Sequence, residues 1–330
     1  MTISFHVGML PNRPIHNCIE QGVLAEQLGY DGIWVADSHS IFRDAYALLN
    51  VLATKTTDLK LATGVTLTGT RHPAVLANSW ATLHELSDGR EILGIGVGES
   101  ATANLGMKPE KLAVFEEKLN VIRSLINGNP VEYEGKEISS WSAYKTPIFM
   151  ACSGPKSLQL GGRIADGILY QVGADPNFHR YAMDNIRIGA ESVGRKLEDI
   201  TLYSRLACSV SQDRKKAREE VKGYCSIAAG TTYKTVPREY FNDSLYQQLA
   251  DFKANYDYAE HGSNQAKHRS FLTEDIIDAV AVAGTAEEVA PRLQELVDLG
   301  VQGFVFPFAQ PDPIPYMKDF AQNVMPNIKG

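Results

Sequence analysis

Positive charge is in short supply in this sequence: 32 Lys and Arg face 39 Asp and Glu, a formal net charge of −7. With no basic field to attract them, nucleic acid and anionic lipid are excluded as expected partners. Long apolar runs are missing as well. The amino terminus, MTISFHVGML, has neither a basic start nor an extended apolar stretch, and no later segment approaches the run of about 18 apolar residues that a bilayer demands. The expectation is a cytoplasmic protein with no membrane partner. Cysteine is scarce: Cys18, Cys152, Cys208 and Cys225 form no C-x-x-C pair, and no His stands at metal-ligand spacing from them. Neither a disulfide framework nor a metal site is indicated, and buried reduced thiols are expected. Short-period repeats and low-complexity linkers are also absent.

What is present reads as one ordinary globular unit, with 44% hydrophobic and 22% charged residues. Strand-like and helix-like runs alternate in about eight pairs, as expected of parallel strands joined by crossover helices. The expected strands are Ile3 to Met9, Gly32 to Ala36, Leu59 to Val65, Ile92 to Gly96, Ile148 to Ala151, Gly167 to Tyr170, Ile200 to Ser209 and Gly303 to Pro307. Helices are expected over Ala74 to Leu86, Leu112 to Ile126, Ser157 to Ile164 and Ala286 to Leu299, where apolar residues recur three and four apart. PVEYEGKEI, at Pro130 to Ile138, alternates and turns at Gly135, which predicts an appended hairpin. A polar, Tyr-rich stretch, 211–269, is too long for a plain connector and reads as a mostly helical insertion after strand seven. The fold class expected is α/β, a (β/α)8 TIM barrel, with residues 1–330 as a single domain.

Barrels place working side chains at the carboxyl ends of their strands, and four segments there carry candidate chemistry. DGIWVADSH (Asp31 to His39) is a buried strand that ends in Asp37, Ser38 and His39; the alternative is that Asp37 or Ser38 only caps a helix. LATGVTLTGTRHP (Leu61 to Pro73) stops at Gly64, where glycine lets backbone approach a flat ligand; the alternative is a plain loop, with His72 structural. GIGVGES (Gly94 to Ser100) lacks the G-x-G-x-x-G spacing of a dinucleotide fingerprint. Its alternating glycines leave one strand face bare, as room for a planar ring, with Glu99 the first ionisable group beyond. ACSGPKSLQLGGRIADGIL (Ala151 to Leu169) opens a helix at SGPK, whose free N–H groups suit a phosphate; the alternative is a plain capped helix start, which does not explain QVGAD (Gln171 to Asp175), a second small-residue strand end.

Together these segments resemble the bacterial-luciferase-like superfamily, and in particular its methylenetetrahydromethanopterin reductase branch. The most specific pieces are TGVT with RHP, GIGVGESAT, SGPKSLQLGGRIADG, and VAGTAEEVAPRL followed by GVQGFVF. The resemblance implies a homodimer holding FMN or the deazaflavin coenzyme F420. It implies that Gly64 and Val65 form a bulge behind the ring, often through a non-proline cis peptide, with Thr66 following. Asp37 and Ser38 would lie near the ring, Gly96, Gly98 and Glu99 would border it, and Ser153, Gly154, Pro155, Val172, Gly173 and Ala174 would hold the phosphate-bearing tail.

Three departures bear on substrate. Gly8 stands where the methanogenic reductases carry a carboxylate, TLT (Thr66 to Thr68) replaces their TNP, and Ser38 stands where a related sugar-phosphate dehydrogenase has a histidine base. The expected activity is hydride transfer or monooxygenation on a small organic substrate, with Glu99, Ser38 and His39 as catalytic candidates. A flavin carrier without turnover is the alternative. A Schiff-base aldolase is not supported, because no strand considered ends in lysine.

Overall fold

A computed structural model describes residues 2–39, 41–98, 100–256 and 266–330. The chain divides into two compact units, Gly8–Ala151 on one hand and Met1–Val7 with Cys152–Gly330 on the other. The opening strand β1 (Ser4–Met9) contributes Gly8 and Met9 to the former. There it is followed by α1 (Ile15–Gln27), β2 (Gly32–Val35), α2 (Ala45–Lys55), β3 (Lys60–Thr63), β4 (Thr66–Leu67) and α3 (Pro73–Ser87). Then come β5 (Glu91–Gly96), the short α4 (Ser100–Ala103), α5 (Leu112–Ile126), the hairpin β6 (Val131–Tyr133) and β7 (Lys136–Ile138), and β8 (Ile148–Cys152). β2 pairs with β3, β3 with β5 and β5 with β8, all parallel. The hairpin register, Tyr133 opposite Lys136, leaves a two-residue turn. Glu134 and Gly135 both have positive φ, 52° and 75°, the twist that such turns require.

The other unit continues with α6 (Pro155–Ile164), β9 (Gly167–Tyr170), α7 (Pro176–Glu191), β10 (Thr201–Arg205), β11 (Ala207–Val210), α8 (Arg214–Thr235) and α9 (Asp243–Ala254). It ends with α10 (Glu274–Val280), β12 (Ala281–Gly284), α11 (Ala286–Asp298), β13 (Gly303–Pro307) and α12 (Ile314–Asn323). β9 pairs with β10 and β10 with β13, again parallel, and Ser4 N donates to Gln302 O beside β1. Strands such as β2, β5, β9 and β13 are buried along their whole length, as expected when both faces of a parallel sheet are covered.

β9, β13 and α5 have the bounds expected from sequence. Strand seven does not. Ile200 to Ser209 is two strands, because the pairing of β10 with β13 ends at Arg205 opposite Val305. Ala207–Val210 instead pairs in parallel with Ala281–Gly284, a strand that sequence reading missed. A four-residue apolar run such as AVAG has no periodicity that separates strand from helix. Within 211–269 the described residues are mostly helical, as expected.

A candidate cofactor and proton-transfer site

In the unit Gly8–Ala151, β2 delivers Asp37, Ser38 and His39 beyond its carboxyl end. Asp37 is 4% exposed. Its Oδ2 accepts from Thr66 Oγ1 at 2.7 Å and from Arg71 Nη1 at 2.6 Å. Because the carboxylate can only accept, Thr66 spends its proton there, and Thr66 Oγ1 in turn accepts from the Tyr46 hydroxyl at 2.7 Å. Arg71 lies over the Tyr46 ring, 4.3 Å from its centroid, and Tyr46 meets Trp80 edge-on. Burial pushes the Tyr46 phenol well above its usual range, so it stays a neutral donor. Removing one partner from a buried pair of this kind typically costs about 3–5 kcal/mol. Asp37 is therefore held by a network, and the helix-cap alternative falls away: the cap of α2 is Asp44, which accepts from Ala47 N at 2.8 Å.

The second oxygen, Asp37 Oδ1, lies 3.7 Å from His39 Nδ1. Three buried polar atoms on residues close to Asp37 or to its partner Arg71 in the chain, Ser38 Oγ, His39 Nε2 and Thr70 Oγ1, have no hydrogen-bond partner among the described residues. Such a group costs about 1–3 kcal/mol when left unsatisfied, so these are the atoms that a ligand would satisfy. His72, as its alternative reading held, is structural: its Nδ1 accepts from Ala74 N at 3.2 Å and caps α3.

The Gly64–Val65 peptide is cis. A Cβ at Gly64 would lie 2.9 Å from Trp34 Cβ and 3.1 Å from its carbonyl, so this glycine serves close packing on β2 rather than keeping a ligand space clear. Gly64→Leu is thus expected to damage the fold itself. The bare strand face expected at Gly94 and Gly96 is likewise filled by protein. A Cβ at Gly94 would sit 2.0 Å from Thr63 O, and one at Gly96 would sit 3.3 Å from both Ala151 Cβ and Val65 Cγ2. Gly98 has φ +81° and lies against Thr102 and Leu67. Glu99 falls outside the described residues.

In the unit containing Cys152–Gly330, Ser153, Gly154 and Pro155 open α6. Gly154, not Ser153, is the cap residue, and no side chain caps there. Pro155 brings no N–H, and the first turn leaves the Lys156 and Ser157 N–H groups without an intrahelical acceptor. A Cβ at Gly154 would meet nothing within 4 Å. A phosphate fits that approach. Beyond β9, Gly173 has φ +100°, and Ala174 N donates to Ala279 O at 2.8 Å. His179, fully buried, donates through Nε2 to Gly173 O at 3.0 Å and accepts at Nδ1 from the Tyr170 hydroxyl at 2.9 Å. Burial lowers its pKa to about 4, against the opposing effect of the Gly173 bond, which fixes it as a neutral anchor of the Val172–Gly173–Ala174 turn.

Sequence reading missed Tyr46, Arg71 and His179. Arg71 is the arginine of RHP, which nothing local ties to Asp37; Tyr46 and His179 carry no local signal, since their partners lie 20 and 6 or more residues away.

The sequence profile described as Luciferase-like monooxygenase matches residues 1–303. The chain belongs to that family. It is 31% identical to a 5,10-methylenetetrahydromethanopterin reductase from Methanolobus tindarius, over 92% of this chain and 93% of that one. An F420-dependent glucose-6-phosphate dehydrogenase from Nakamurella multipartita is 27% identical, over 93% and 91% of the respective chains. Among solved structures, the coenzyme F420 dependent tetrahydromethanopterin reductase from Methanopyrus kandleri matches with a TM-score of 0.82 and 26% identity over 100% of both chains. The fold class is thus the luciferase-like (β/α)8 TIM barrel, and the chain is an oxidoreductase. These luciferase-like relatives are all named as enzymes, and a carrier without turnover finds no support among them. Among the described residues no helix is long and apolar enough to cross a membrane.

Proposed function

We propose that this luciferase-like enzyme binds coenzyme F420 and carries out hydride transfer with a small organic substrate. The observation that carries this reading is the set of buried atoms without a partner among the described residues, Ser38 Oγ, His39 Nε2 and Thr70 Oγ1, on residues that lie close to the ion-paired Asp37 and Arg71 in the chain. Relatives named for F420 at 27% and 26% identity support the deazaflavin over FMN. The FMN-bound Baeyer–Villiger monooxygenase match, at 18% identity, shares the fold alone.

Asp37, Ser38, Thr66 and Glu99, with the backbone of Gly64, Val65, Gly96 and Gly98, would serve the ring, and Ser153, Gly154, Pro155, Val172, Gly173 and Ala174 the phosphate-bearing tail. When bound, the deazaflavin gives or takes a hydride and largely avoids oxygen. The protein's part is the accompanying proton. His39, its Nδ1 facing Asp37, would exchange a proton through Nε2 with a substrate heteroatom that the Ser38 hydroxyl helps to hold, and Glu99 is the further acid–base candidate. The same reading takes residues 1–330 as one domain, in keeping with the full-length structural match, and the enzyme as cytoplasmic and homodimeric. On the exposed face of α3, Val75 and the Trp141 side chain, which bonds Asn78, offer apolar surface to a second copy.

Equilibrium titration of the apo protein with F420 and with FMN, read by fluorescence, tests the cofactor. Saturable F420 binding with FMN much weaker is expected. The reverse preference replaces hydride transfer with oxygen chemistry, and binding of neither ends the proposal. In the same titration Ser153→Asp is expected to weaken F420 binding about tenfold or more, because it sets a negative charge at a helix start meant for phosphate. Since Ser153 is not the cap, Asp gains nothing there by capping, and an unchanged affinity would remove the α6 start from the site.

A further inference from the structure

We propose that Glu110 and Lys118 are positioning residues that fix the strand-end loop carrying the Gly64–Val65 peptide. The inference rests on the cofactor reading above, and its physical basis lies wholly within the unit Gly8–Ala151.

β4 is only two residues long, and its ladder to β5 consists of Thr66 opposite Ile95 and Leu67 opposite Gly96. So short a strand cannot hold its own place, and side chains supply what the ladder lacks. Thr66 donates to Asp37, whose counter-ion is Arg71. Two residues on, the fully buried Thr68 donates its hydroxyl to Glu110 Oε2, while Glu110 Oε1 accepts from Lys118 Nζ. The Lys118 ammonium also donates to the Thr68 carbonyl at 3.3 Å. The T-L-T segment is thus pinned twice, each time by a threonine hydroxyl on a carboxylate backed by a cation.

The second clamp reaches further than the first. Glu110 N donates to Val97 O at 3.2 Å, so the same residue that grips the β4 loop is fastened to the chain just past β5. The two segments pack so closely that a Cβ at Gly96 would come within 3.3 Å of Val65 Cγ2. Holding them in register sets the backbone on which the ring is proposed to rest. The Glu110 and Lys118 side chains are only 15% and 19% exposed and engage a buried hydroxyl and a carbonyl, unlike an exposed surface pair of little consequence.

The test compares Thr68→Val, which removes the hydroxyl at constant shape, Thr68→Ser, which restores it, and Lys118→Met, with Glu110→Gln as a further variant should Thr68→Val fail to fold. Two measurements are made on the full chain: amide hydrogen exchange of residues 64–70 without cofactor, and the F420 dissociation constant. Faster exchange confined to 64–70 and F420 binding weakened about tenfold are expected in the Val, Met and Gln variants, with Ser close to wild type. Unchanged exchange at 64–70, or loss of protection spread evenly over the chain, would overturn the proposal, as would local loosening with wild-type F420 affinity. If the wild-type chain binds no F420, the cofactor reading fails on its own, and the exchange pattern still decides whether the clamp positions this loop.

Discussion

His39→Gln is expected to slow turnover by roughly 10²–10⁴-fold, the range for a lost general acid or base, while coenzyme F420 affinity stays within about threefold of wild type. The argument starts from Asp37, which is nearly inaccessible and has Oδ2 committed to Thr66 and Arg71. That leaves Oδ1 to face His39 Nδ1 at 3.7 Å, too long for a hydrogen bond but close enough for charge attraction to a protonated ring. The other ring nitrogen, buried and without a partner among the described residues, is then the atom placed to exchange a proton. Glutamine retains a polar tip of comparable reach and cannot carry that proton. Single-turnover kinetics with F420 prebound isolate the chemical step, and a near-wild-type rate there would take His39 out of the reaction. Glu99→Gln in the same assay tests the second proposed proton carrier. A large loss in that variant with none in His39→Gln would assign the proton to Glu99 instead.

Much of this architecture is written locally in the chain. β9 is a continuous apolar run set between Asp166 and Gln171, and β13 one that opens at Gly303 and stops on Pro307, so their ends coincide with expectation. The strand-end segments are legible for the same reason: GIWV is buried throughout, and the abrupt change to Asp37, Ser38 and His39 marks where the apolar environment stops. What was misread depends on partners far away in sequence. Gly64 and Gly94 looked like space for a ligand, and only the fold shows Trp34 and the Thr63 carbonyl already there. Arg71, Glu110 and Lys118 are ordinary charged residues until folding brings Arg71 to Asp37 and Glu110 to Thr68, 34 and 42 residues away. β12 escaped because four apolar residues have no period, and its partner β11 lies some 70 residues earlier in the chain.

Acid should weaken this protein well before its carboxylates are titrated, through two buried histidines. Burial lowers the pKa of His6 to about 3 and that of His179 to about 4, whereas both revert to about 6.5 on unfolding. Between those values the unfolded chain binds protons that the folded chain refuses, so stability falls as pH falls. The loss begins near pH 6.5 and ends near pH 4 for His179 and near pH 3 for His6. By pH 5 each histidine should have removed about 2 kcal/mol, roughly 4 kcal/mol together, a large share of a typical folding free energy. The two differ in what they hold. His6 lies against the Tyr203 ring, 4.8 Å between centroids, inside the sheet. A proton on His179 Nδ1 would force the Tyr170 hydroxyl to turn from donor to acceptor and would set an unsolvated charge beside the turn that the ring anchors through Gly173 O. F420 affinity should therefore hold down to about pH 5 and decline only as the pH nears 4, where the folded His179 itself takes the proton, if that turn holds the cofactor tail. Chemical denaturation at pH 7 and pH 5 measures the effect, and His179→Gln, which cannot titrate, should shrink the difference by about half. The same fall in the variant as in wild type would show that His179 takes no part in acid lability.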